Sequence, residues 1–182
     1  MRTVPSARRL LLSATAALLI LPAVPAHAQT GCENAGDQVT ARTLGQARST
    51  VRCLLNEERA ERGVRPLRGS ELLKAAATRH SVDMVSRTYF SHDGPQGSTL
   101  VARVTRTGYI NPRVGWTVGE NIGWGSGELG TPKAMVKAWM ASPGHKANLL
   151  NPAFRDVGIG IALGSPRGGQ GVTYTTDFGA RS

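Results

Sequence analysis

The chain predicts an α+β domain with helices placed first and paired strands last. Three observations carry this. Apolar residues recur at intervals of three and four through the helical segments ahead of Ser142, with Ser70, Ser98 and Thr131 placed as capping residues. Two alternating runs, Val157/Ile159/Ile161/Leu163 and Val172/Tyr174/Thr176/Phe178, close the chain. Between those two runs, Gly164 to Gly171 is rich in glycine and reads as the connection of an antiparallel hairpin. Helices followed by strands build layers of one class on the other.

Residues 1–28 read as a secretory signal. Arg2, Arg8 and Arg9 precede the apolar run Leu10 to Leu21, and Ala26-His27-Ala28 supplies a small-x-small cleavage site. The run is too short for a membrane span. Adjacent arginines before Leu10-Leu11-Leu12 leave both the general secretory and the twin-arginine route open. Residues 29–47 hold Gly31, Gly36 and Gly45 without sustained periodicity and read as a leader or linker. The domain is expected over residues 48–182, with one core, as a chain of this length can bury roughly two thirds of its extended surface.

From Ser49 to Glu61, Val51, Leu54 and Leu55 fall on one helical face, while Glu57, Glu58, Arg59 and Arg62 are expected to face water; Gly63 stops the helix. Ser70 caps a second helix in which Leu72, Leu73, Ala76, Ala77, His80 and Met84 recur, ending near Thr88. Ser98 is expected to cap a shorter helix through Arg106, closed by Gly108-Tyr109. Val114 to Ile122 contains a strand interrupted by glycine, and Gly123 to Gly130 reads as a loop. Thr131-Pro132 opens a helix with Met135, Val136, Trp139 and Met140 on its buried side. Ser142-Pro143-Gly144 breaks it and presents His145 on a turn or a new helix start.

The formal net charge of +10 becomes about +7 once Arg2, Arg8 and Arg9 leave with the signal. The arginines are scattered and not interleaved with aromatics, so a solvated basic surface is expected and nucleic acid is not an expected partner. A cell-wall polymer, a lipid or an extracellular protein remain as partner classes, with the chain itself a monomer. Cys32 and Cys53 are the only cysteines. Oxidising conditions outside the cell favour a bridge between them, contributing about 3 kcal/mol by loop closure; two unrelated thiols are the alternative.

Three strings carry the chemistry: Tyr89-Phe90-Ser91-His92, Gly119-Glu120-Asn121-Ile122, and Ser142-Pro143-Gly144-His145 continuing to Pro152. Two imidazoles and a carboxylate, each beside glycine or turn residues, can hold a divalent metal or share protons. His92 leaves a helix end between an aromatic anchor and a tight turn, which suits a cleft. Glu120 lies in an otherwise apolar strand, where a carboxylate must be paired or at a cleft edge. Asn121 is expected to tie backbone groups, His80 to be a satisfied core histidine, and Trp116, Trp124 and Trp139 to be packing residues, with a cleft mouth as the alternative for Trp124.

The order and wording of these strings resemble the bacterial branch of the CAP superfamily, also called SCP-like, after cysteine-rich secretory proteins, antigen 5 and pathogenesis-related 1 proteins. The resemblance runs from Val51-Arg52-Cys53-Leu54 through Thr173-Tyr174-Thr175-Thr176-Asp177-Phe178-Gly179. It implies a three-layer α/β/α sandwich around a central, mostly antiparallel sheet. It also implies a cavity built from two histidines and two acids, carried here by His92, Glu120 and His145. Ser142 stands where the second acid is expected. His92, Glu120 and His145 would then form an open site for zinc or another divalent metal.

No familiar catalytic signature occurs: His-Glu-x-x-His and Gly-x-Ser-x-Gly are both absent. The expected function is a secreted, non-enzymatic extracellular binding module. A metal-assisted hydrolase, and a structural domain in which the His/Glu set only ties loops together, are the alternatives.

Overall fold

A computed structural model describes Met1 and residues 31–182. The signal-peptide reading therefore falls, Met1 apart, outside the described residues. Residues 31–182 form one unit.

The two alternating runs form strands β3 (Asp156–Leu163) and β4 (Val172–Arg181), paired antiparallel. Strand β2 (Trp116–Gly125) adds antiparallel to the other side of β4, and a two-residue strand β1 (Arg68–Gly69) adds parallel to β3. The sheet order is β1-β3-β4-β2. The glycine-interrupted strand expected between Val114 and Ile122 extends to Gly125, three residues into the stretch expected as loop.

Helices cover both faces. On one side lie α1 (Leu44–Ala60), α4 (Pro132–Ala141) and α5 (Pro143–Leu150), packing Val51, Leu55, Met135, Trp139 and Leu149 against Val157, Ile159, Tyr174 and Phe178. On the other lies α2 (Glu71–Ser86), with the short α3 (Leu100–Arg106) beside it, joined through Leu73, Ala76, Val104 and Tyr109. This is the three-layer α/β/α arrangement. The helix starts follow local chemistry: Ser70, Thr99 and Thr131 each accept a hydrogen bond from a backbone N–H in the first turn. The cap of α3 is thus Thr99 and not Ser98, one residue later than expected.

Cys32 and Cys53 are joined in a disulfide that ties the N-terminal segment to α1. That segment belongs to the domain: Val39 is buried in the main cluster, Thr50 Oγ1 donates to the Glu33 carbonyl at 3.0 Å, and α1 begins at Leu44 rather than Ser49. A leader ending at residue 47 is corrected accordingly, because the bridge and the Val39 contact hold residues that lack helical periodicity.

Arg59 corrects a second expectation. It is fully buried, not water-facing. Its guanidinium donates to four backbone carbonyls: Arg65 at 2.7 Å, Leu149 at 2.7 Å, Asn151 at 3.1 Å and Phe154 at 3.3 Å. Val51, Leu55 and Arg59 are successive members of one i, i+4 row, so the same periodicity that buries the aliphatics buries the arginine. The carbonyls left free at the end of α5 make that burial tolerable. Leu72 departs the other way and is exposed, since α2 turns only Leu73, Ala76, Ala77, His80, Ser81 and Met84 inward.

Candidate functional site

The segment after α2 is held from several directions. The Tyr89 N–H donates to the Met84 carbonyl at 3.1 Å, and its hydroxyl donates to Asp83 at 2.6 Å. His80 Nε2 donates to the Ser91 carbonyl at 3.0 Å, and Arg103 Nη1 donates to the carbonyls of His92 at 3.0 Å and Ser98 at 2.5 Å. His80 is thereby the satisfied, buried histidine expected of it. These bonds fix the backbone from which the His92 side chain, about half exposed, reaches β2.

There His92 Nδ1 donates to Glu120 Oε1 at 2.8 Å. Arg103 Nη2 donates to Glu120 Oε2 at 2.6 Å, and His80 Nε2 lies 3.9 Å from the same oxygen. Glu120 is almost wholly buried. Burial opposes its ionisation, but the His92 hydrogen bond and the charges of Arg103 and His80 outweigh that and hold the carboxyl below its usual range. The same hydrogen bond raises His92 against a smaller opposing effect of burial. His80 is lowered, chiefly by burial.

His145 sits in the first turn of α5, behind Pro143 and Gly144. Its imidazole is lowered by burial and, second, by the charge of His92 nearby. Asn121 Nδ2 donates to the His145 carbonyl at 2.9 Å, while Asn148 Nδ2 donates to the Glu120 carbonyl and to Asn121 Oδ1, both at 3.0 Å. Asn121 therefore ties backbone as expected, pinning α5 to the strand that carries Glu120. Ser142 and His145 together line a groove of about 390 Å³ whose apolar walls include Phe90, Trp124, Leu129 and Trp139. Trp124 lines its side, the alternative to a purely packing role, and so does Trp139; His92 and Glu120 do not line this groove.

The structure thus joins His92 to Glu120 directly and puts His145 within electrostatic reach of His92. Among the described residues, the ligand atoms of His92, Glu120 and His145 do not all lie within 4.8 Å of one another. Cys32, Cys53 and Glu57 do so, but those sulfurs are spent in the disulfide. With Nδ1 bonded to Glu120, His92 keeps Nε2 without a hydrogen-bond partner among the described residues. That is the donor set of a metal-binding imidazole oriented by a carboxylate behind it. Such chemistry leaves His92 Nε2 and the His145 ring as the groups that could face a divalent ion, with Glu120 orienting His92.

Two residues of the site escape the sequence reading. Arg103 shares a helical face with Leu100 and Val104, and that spacing is the signal that an inward arginine leaves. Asp177 is the direct cross-strand partner of Glu120 in β4, fully buried, with neither carboxyl oxygen hydrogen-bonded. Burial, followed by the charge of Glu120, pushes its pKa well above the ordinary aspartate value of 3.8. A second acid therefore stands beside Glu120, contributed by the last strand and not by the segment around Ser142.

The family model of the cysteine-rich secretory proteins, CAP, matches residues 54–178. The chain belongs to the CAP family. It is 38% identical over 107 residues to YkwD, an uncharacterized protein of Bacillus subtilis (strain 168), covering 59% of this chain and 39% of that protein. It is 30% identical over 108 residues to YlbC, an uncharacterized membrane protein of the same strain, covering 59% of this chain and 29% of that one. The chain thus covers well under half the length of either relative. Among solved structures, an extracellular SCP-domain protein of Bacillus anthracis str. Ames superposes with a TM-score of 0.62 at 28% identity, over 78% of this chain and 44% of that one. An outer surface protein of Borrelia burgdorferi shares the CAP fold, with a TM-score of 0.65 at 18% identity over 81% and 99% of the two chains. Among the described residues, no helix is long and apolar enough to cross a membrane.

Proposed function

We propose that this CAP protein is a secreted, non-enzymatic binding module in which His92 and His145 take a divalent metal or a polar ligand beside the apolar groove. The observation that carries the reading is the His92–Glu120 hydrogen bond at 2.8 Å, which spends Nδ1 on a buried carboxylate and leaves Nε2 for a ligand. A bound zinc ion would supply a Lewis-acidic anchor for an anionic or carbonyl group. Glu120 orients His92, Arg103 neutralises Glu120, and Asn121 with Asn148 holds the α5 turn that carries His145. The leader-like residues 1–28 and the extracellular description of the Bacillus anthracis neighbour support export.

Catalysis with Glu120 as base fits poorly. Both of its oxygens are engaged and its proton affinity is depressed, so it is a weak acceptor for a proton from water. A structural reading has its own support in Arg103, which bridges His92, Ser98 and Glu120.

Calorimetric titration of metal-stripped protein with zinc separates these. Wild type is expected to bind at micromolar or tighter affinity and the His92→Ala, His145→Ala variant not to bind, with both proteins melting at similar temperatures. Equal heats from the two proteins would sink the metal reading. A collapse in melting temperature of the variant, without zinc binding by wild type, would establish the structural role instead.

A further inference from the structure

Arg103 also lines a concavity apart from the apolar groove. It is a cavity of about 310 Å³ between α2, α3 and the turn at residues 95–98, and its lining includes Arg79, His80, Asp83, Arg87, Arg103 and Arg106. Neither His92 nor Glu120 lines it. Four guanidinium groups thus surround one concavity that contains a single carboxylate.

That carboxylate is already committed. Asp83 accepts from the Tyr89 hydroxyl at 2.6 Å and lies 3.9 Å from Arg87. Arg79 and Arg106 form no ion pair among the described residues, and both are exposed at the rim. Arg103, 5% exposed, is spent on one side by Glu120, yet its buried Nε has no hydrogen-bond partner. Like charges gathered in a recess repel one another and raise the local potential, so the arrangement attracts an anion. Guanidinium groups match phosphate geometry in paired N–H bonds and are weakly hydrated, which makes arginine suited to this ligand class.

We propose that this cavity is a binding site for a phosphate group, either free or on a lipid headgroup. It does not depend on the metal reading, although Arg103 and His80 face both the cavity and the Glu120 site. The surface basicity that composition presents as scattered is concentrated here by the packing of α2 against α3.

The test is calorimetry with inorganic phosphate at physiological ionic strength, where diffuse surface attraction is largely screened. It runs beside co-sedimentation with phosphatidylcholine vesicles, with and without phosphatidic acid. Two charge-matched variants are compared: Arg79→Gln with Arg106→Gln at the cavity, and Arg42→Gln with Arg113→Gln on exposed surface elsewhere. The cavity variant is expected to weaken binding by at least about tenfold and the other by less than about twofold, with melting temperatures unchanged. Loss with phosphate locates a free-phosphate site, and loss only with phosphatidic acid vesicles locates a headgroup site. Equal weakening in both variants, or no saturable binding of either probe by wild type, would overturn the proposal.

Discussion

The two faces of the sheet are built by opposite means. Toward α1, α4 and α5 the strands present Val157, Ile159, Ile161, Tyr174 and Phe178, and large apolar side chains fill the space between layers. Toward α2 they present Gly158, Gly160, Ser81's partner Thr175, and Asp177, so the helix backbone itself approaches the sheet. A Cβ on Gly158 would stand 2.1 Å from the Leu73 carbonyl carbon, and one on Gly160 would stand 2.2 Å from that of Ala77. Close approach leaves no room for a thick apolar layer. The buried polar groups Glu120, Arg103, His80 and Asp177 collect at the end of this face, where α2 gives way to α3. One face is held by volume and the other by contact distance and charge pairing, and the chemistry sits on the second.

Substitutions that strike each face should separate these modes. Gly160→Val drives its side chain into α2 backbone, which cannot yield as a side-chain tip would. A loss of more than about 4 kcal/mol is expected, seen as absence of a cooperative urea transition. Arg103→Met removes the partner of a buried carboxylate and is expected to cost about 3 to 5 kcal/mol, with Glu120→Gln in the same chain restoring part of it. The double-mutant cycle in urea measures that coupling, and simple additivity would show that the pair is not a unit. Phe178→Ala on the apolar face should cost a similar amount, about 3 to 5 kcal/mol through its cavity, with no dependence on pH.

Asp177 gives a smaller effect of opposite sign. Its folded-state pKa is raised by burial and then by Glu120, so the folded chain keeps a proton that the unfolded chain releases above the ordinary value of 3.8. Its contribution to stability is therefore best below that value and declines as pH rises toward the folded pKa. Glu120, held below its ordinary 4.5, acts the other way and loses its contribution as pH falls. Asp177→Asn should stabilise the protein at neutral pH, with the gain shrinking on acidification. Melting temperatures of the two proteins across the acid range check this; a constant difference would contradict it. The smallest effect is Thr131→Ala at the start of α4, expected to cost about 1 kcal/mol through the lost cap, read as a small shift in urea midpoint.

Much of this fold is legible from local pattern. Ser70 and Thr131 are caps because their side chains reach N–H groups three residues on, and the hairpin follows from period-two alternation across a glycine-rich turn. Strand β1 is not legible, since Arg68 and Gly69 are a strand only by pairing with Asp156 and Val157. The site divides in the same way. His92, Glu120, His145 and Asn121 stand out by residue type and neighbouring glycines, whereas Arg103 and Asp177 look like ordinary members of a short helix and a terminal strand.

Local sequence dictates which segments are helix and strand, that the sheet ends in an antiparallel hairpin, and which histidines leave ordered segments beside turns. These depend on side-chain periodicity and on bonds spanning a few residues. Long-range packing alone settles that Arg59 is buried, that Asp177 faces Glu120, and that four arginines share one recess. Each rests on groups far apart in the chain: Arg59 meets the carbonyls of Leu149 and Phe154, and Glu120 meets Asp177 across a strand pair. A buried charge becomes tolerable only where distant partners converge on it, and no local pattern records that convergence.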